Sequence, residues 1–177
     1  WQPIDQVWIE YGESVDSEDF TGQYKICWSS ETNLVYFLVE VVDDIFIDGY
    51  FYPDGGYPNY DIVEIFIDED KSGGMHVFDD NNDLGPNAEN AFSYHLVPVV
   101  APEEGGDAVT DKWVCDIDGT GWGDRTIPNY ENHFPEFALK KINGKYYWEF
   151  SMQVHNDTYD HENPENSLVE ISEGKIM

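Results

Sequence analysis

Basic residues are scarce in this chain: 8 Lys and Arg stand against 37 Asp and Glu, a formal net charge of −29. Phosphate contacts need Lys and Arg, so nucleic acid is excluded as a partner for such a surface. The same sign excludes anionic membranes. Cysteine is nearly absent, with only Cys27 and Cys115. No disulfide framework therefore holds the fold, and the pair can form one bridge or remain as thiols. No apolar stretch is long enough to span a bilayer, and no signal peptide is visible ahead of Trp1. No long segment repeats its apolar residues every 3.6 positions, which argues against helices. Phosphate loops, the GxSxG elbow, HExxH and zinc-finger histidine spacing are missing as well.

Aromatic residues are plentiful, at 12 Tyr, 10 Phe and 6 Trp in 177 residues. They suffice to fill one core and leave rings over, and flat, weakly polar ligands stack on such rings. The surplus of acid repels itself and opposes compaction. It is relieved either by spreading over solvated faces or by divalent cations, and calcium takes the oxygen ligands that are abundant here. Without repeats, low-complexity tracts or linkers, residues 1–177 are expected to form a single domain.

Strand signals recur between clusters of Gly, Pro, Asn and Asp. Residues 24–28 form a short strand. Residues 34–42 are apolar on both faces except at Glu40, as expected of a central strand. Residues 62–68 place Val63, Ile65 and Ile67 on one face and Ile62, Glu64, Phe66 and Asp68 on the other. In residues 91–100, Phe92, Tyr94 and Leu96 alternate with Ser93, His95 and Val97, and Pro98 marks an edge or an end. Asn143-Gly144 is a two-residue type I′ turn between strands 137–142 and 145–154, pairing Leu139 with Trp148 and Phe137 with Phe150. Residues 50–60, 79–90, 116–130 and 155–167 are expected as polar connections. The expected fold is all-β, a two-sheet antiparallel sandwich of immunoglobulin-like or jelly-roll-like form with long loops.

Several constellations carry possible chemistry. Asp68, Asp70 and Ser72 place side-chain oxygens at alternate positions before Gly73, and Asp79 stands where a closing acid belongs. This spacing suits a calcium loop as well as an ordinary acidic turn, and the uncompensated charge favours calcium. Asp116, Asp118 and Thr120, with Asp124, repeat it more weakly. Glu40 and Glu64 interrupt apolar strands, and facing one another they would offer the two carboxylates of a glycosidase. With acids so abundant, a ligand-binding carboxylate is the simpler reading. Tyr57, Tyr60 and Trp122 lie in turn-rich segments. There they either pin their loops or offer stacking platforms for the apolar faces of sugar rings. His155 and His161 fall in polar sequence and are expected to be solvated, whereas His95 can face a groove.

These residues resemble a known family. Asp19-Phe20-Thr21-Gly22, Leu34-Val35-Tyr36 and Val41-Val42-Asp43-Asp44 are similar to the front half of the family 9 carbohydrate-binding modules. Asp61-Ile62-Val63-Glu64-Ile65-Phe66-Ile67-Asp68-Glu69 resembles that family's most specific strand, and Ala91-Phe92-Ser93-Tyr94-His95 the strand after it. The resemblance implies a secreted or cell-surface, calcium-containing sandwich that binds polysaccharide or oligosaccharide ends, such as xylan or cellulose fragments, between two aromatic rings. It implies a sugar contact at Glu64, a first ring at Tyr57 or Tyr60, and further contacts at Ser93 and His95. A partner glycoside hydrolase is also implied. By the same likeness, residues 172–177 lead toward a final strand that this sequence does not contain: either the chain is cut short or another chain supplies the strand, and Trp122 or Tyr159 would replace the ring it carries. Two other readings are open: a haem-binding electron-transfer domain ligated by Met75, Met152 or His95, and a calcium-dependent adhesion or assembly module.

Overall fold

The computed structural model describes residues 1–4, 16, 18–47, 59–71, 91–98, 109–110, 113–119, 130–156 and 158–177. The strands are β1 (Gln2–Pro3), β2 (Phe20–Ser29), β3 (Leu34–Asp43), β4 (Val63–Asp68), β5 (Ala91–Pro98), β6 (Val109–Thr110), β7 (Trp113–Gly119), β8 (Glu136–Ile142) and β9 (Lys145–Met152). They pair antiparallel into one sheet of order β1-β2-β3-β9-β8-β6 and a second of order β4-β5-β7. The architecture is the expected all-β sandwich.

Side-chain alternation decides which face of each strand turns inward. On β9, Tyr146, Trp148, Phe150 and Met152 are all buried, with Val154 just beyond the strand, while Glu149 is exposed between them. Burying each such side chain stabilises the fold by about 1.5–3 kcal/mol. Cross-strand ring pairs lock the register: Phe37 lies opposite Phe150 with centroids 5.0 Å apart, and Phe137 meets Trp148 at 5.8 Å. Phe92, Tyr94 and Leu96 of β5 complete the core from the other sheet.

The type I′ hairpin forms as expected. Asn143 and Gly144 both have positive φ, 52° and 79°, and the register pairs Leu139 with Trp148 and Phe137 with Phe150. Strand β3 is central in its sheet, as its two apolar faces suggested, though its outward side chains are only partly covered. Pro98 ends β5, which is the middle strand of its sheet and not an edge.

Three expectations are corrected. Residues 116–119 belong to β7, where a loop was expected, so Asp116 and Asp118 sit at strand register positions beside β5. His155 is fully buried rather than solvated: its Nδ1 lies 2.8 Å from Ser167 Oγ and its Nε2 3.2 Å from the Asn132 carbonyl. Tyr159 is also buried, held by Asn132 and packed 4.3 Å from the His133 ring, so it cannot wall a sugar slot. Cys27 and Cys115 lie on different sheets and are not joined in a disulfide.

A long-range clip fastens the end of the described chain to the sandwich. Asn33 has φ 56° in the turn between β2 and β3, a conformation that Asn tolerates. Its amide donates to the Val169 carbonyl at 3.0 Å, and its Oδ1 accepts from the Ile171 N–H at 2.8 Å.

Candidate functional site

Strand β4 turns Val63, Ile65 and Ile67 toward the core and Glu64 and Phe66 away from it. Antiparallel pairing then fixes what stands beside the outward residues. Glu64 lies opposite His95, and Phe66 opposite Ser93; on the far side of β5, Asp116 and Asp118 take the matching positions on β7. Three residues expected to form a site, Glu64, Ser93 and His95, are thus brought onto one face.

The side chains converge there. His95 Nε2 is 3.7 Å from Glu64 Oε1 and 3.4 Å from Ser93 Oγ. The Glu64 side chain keeps 35% of its surface exposed, whereas that of His95 keeps 3%. Glu64 therefore meets solvent, and His95 lies behind it. On the inward side of β4, behind this face, opens a cleft of about 520 Å³ between the inner surface of the large sheet and strand β4. Tyr60, Val63 and Ile65 line it on the β4 side, where Glu64 and Phe66 only border it; Tyr24, Phe37, Trp148 and Phe150 line it from the large sheet. Tyr57 and Trp122 lie outside the described residues.

The segment leading into β4 is held by reciprocal bonds. The Asp61 N–H donates to the Ile47 carbonyl at 2.8 Å, and the Asp61 carboxylate accepts from the Ile47 N–H. Burial pushes the Asp61 carboxyl above its ordinary range, against the pull of that N–H; burial likewise raises Asp43, which also borders the cleft.

Glu40 and Glu64 do not form a catalytic pair. Glu40 is on β3 of the large sheet, which pairs with β2 and β9 and never with β4. Its carboxylate accepts from Lys145 Nζ, Tyr147 Oη and Gln23 Nε2, each at 2.8 Å, and the Lys145 bond chiefly holds its pKa below the ordinary carboxylate value. The haem arrangement is not assembled from the described residues either. Met152 is buried on β9 in the core, while His95 faces outward on β5, and Met75 lies outside the described residues.

At the expected calcium turn, Asp68 ends β4 and is half-buried, Asp70 is exposed, and Ser72 and Asp79 lie outside the described residues. Glu69 points elsewhere, toward Lys175, with Oε2 3.0 Å from Nζ. Among the described residues, no three His, Cys, Asp or Glu side chains are grouped to hold a metal ion.

The fold is a two-sheet sandwich whose β4–β5 face carries a half-exposed glutamate in front of a buried histidine. A family profile described as carbohydrate family 9 binding domain-like matches residues 1–171, and the chain belongs to that family. No curated protein and no solved structure gives a significant match. No helix among the described residues is long and apolar enough to cross a membrane.

Proposed function

We propose that this domain binds the ends of neutral polysaccharides or oligosaccharides, such as xylan or cellulose fragments, without catalysing a reaction on them. The observation that carries the reading is Glu64: a carboxylate left partly open to solvent on the outward face of β4, with Tyr60 in the segment that leads into the same strand. A carboxylate accepts sugar hydroxyl protons, and a tyrosine ring offers an apolar face to a pyranose. Ser93 adds a hydroxyl on the neighbouring strand, and His95 acts from behind by holding Glu64 and Ser93 in place. The reading also takes Tyr57 and Trp122, on sequence grounds, as stacking rings for the ligand.

Calcium bound through Asp68, Asp70, Ser72 and Asp79 offsets part of the net charge of −29. The setting that suits such a site is extracellular or cell-surface, as a companion to a glycoside hydrolase domain. A strand from another chain completing the sheet is the other partner this reading allows.

Isothermal titration with xylo- and cello-oligosaccharides tests the proposal. Binding should be weak, tolerant of salt and reduced by Glu64→Gln. No heat across that panel, or a Glu64→Gln variant that binds like the parent, would sink it.

A further inference from the structure

Phe66 is the most exposed large apolar side chain among the described residues, at 69%. A lone exposed ring is ordinary on a protein surface. This one is set apart by its neighbours. It shares the outward face of β4 with Glu64 and lies two residues, about 7 Å, further along the strand. Directly opposite on β5 stands Ser93, whose small side chain leaves the ring unobstructed from that side and adds a hydroxyl. Core packing does not require an aromatic here, because Val63, Ile65 and Ile67 supply the inward contacts of this strand.

We infer that Phe66 is a sugar-stacking platform and that, with Ser93, it forms a second subsite next to the one built on Glu64. The inference rests on the carbohydrate-binding reading and extends it. The ligand runs along β4 and spans at least two sugar units, one held at Glu64 and the next lying on the Phe66 ring. The ring contributes contact area without charge, and Ser93 reaches a hydroxyl at the sugar's rim.

The test compares chain lengths. Calorimetric or saturation-transfer NMR titrations use glucose and xylose, then their β-1,4-linked di-, tri- and tetrasaccharides, against the parent, Phe66→Ala, Phe66→Tyr and Glu64→Gln. The parent should bind the longer sugars more tightly than the monosaccharides. Phe66→Ala should weaken the longer sugars roughly two- to tenfold, the range expected for one aromatic stack, and change monosaccharide binding less than about twofold. Phe66→Tyr should restore the longer sugars, and Glu64→Gln should weaken all lengths. Unchanged binding of the longer sugars by Phe66→Ala overturns the platform. Equal weakening at every length overturns the second subsite. A parent protein silent toward every sugar overturns the underlying reading, and the inference falls with it. Because Phe66 is exposed, its replacement leaves the core intact, and matching urea midpoints confirm that binding alone is being read.

Discussion

Acid should loosen this protein through a buried imidazole. His133 is fully buried, with its ring 4.3 Å from Tyr159 and 4.7 Å from His155. Its Nδ1 lies 2.9 Å from Tyr94 Oη, and its Nε2 finds no hydrogen-bond partner among the described residues. Burial, reinforced by the neighbouring His155, pushes the His133 pKa down to about 2. In the unfolded chain the same group titrates near its ordinary value of about 6.5. Below that value the unfolded state binds a proton that the folded state refuses, so stability is lost as pH falls from about 6.5 toward 2. At pH 5 the gap of about 1.5 units corresponds to a loss of about 2 kcal/mol.

His133→Gln removes the titration while leaving an amide that can meet Tyr94 Oη. Urea unfolding followed by tryptophan fluorescence at pH 7.5 and pH 5.0 measures the difference. The parent should lose about 2 kcal/mol more than the variant between the two conditions. Asp43 and Asp61, raised by burial, work in the opposite direction and add stability as pH falls, as does relief of self-repulsion. Those contributions are common to both proteins and cancel in the comparison. Equal losses in parent and variant would refute the reasoning, as would an NMR titration showing His133 protonating near pH 6.5 in the folded protein.

Three further outcomes are expected. Gly144→Ala forces a side chain into φ +79° with nothing within 4 Å to clash, so pure backbone strain should lower the urea stability by about 1–2 kcal/mol. Glu40→Gln should cost about 1–2 kcal/mol by weakening the bonds to Lys145, Tyr147 and Gln23. It should leave oligosaccharide affinity unchanged in calorimetry, because Glu40 and Glu64 lie on different sheets. Calcium at about 100 times its dissociation constant should stabilise the domain by about 2.7 kcal/mol in thermal melts, reversibly with chelator. Asp68→Asn should shrink that increment, and a melt indifferent to both calcium and chelator would remove the calcium reading.

The fold was legible wherever one face of a strand is apolar and the other polar. The Asn143-Gly144 turn specified both its dihedrals and the pairing of Leu139 with Trp148, because a I′ turn admits one register. Strand β7 escaped because its Asp116 and Asp118 alternate with apolar residues over only a short stretch and are followed by Gly-rich sequence. His155 and Tyr159 escaped for another reason. Polar loop sequence does not reveal that Ser167 and Asn132 will fold back to satisfy them in the interior. At the site, alternation put Glu64 on the face opposite Val63, Ile65 and Ile67, and Ser93 and His95 on one face of their strand, while the family resemblance singled them out. Their convergence depends on β4 pairing with β5 in one particular register, which periodicity does not report. Phe66 was visible as an alternating residue of β4, but only its exposure singles it out.

The Asn33 clip bears on how the chain reaches this state. One amide joins residue 33 to residues 169 and 171, closing loops of 136 and 138 residues. Ordering so long a loop for two hydrogen bonds is entropically unfavourable until the sheets between have docked. The clip is therefore expected to close after the β2–β3 and β8–β9 hairpins have paired through β3 and β9. A ribosome still holding residue 171 holds a sandwich with its seam open.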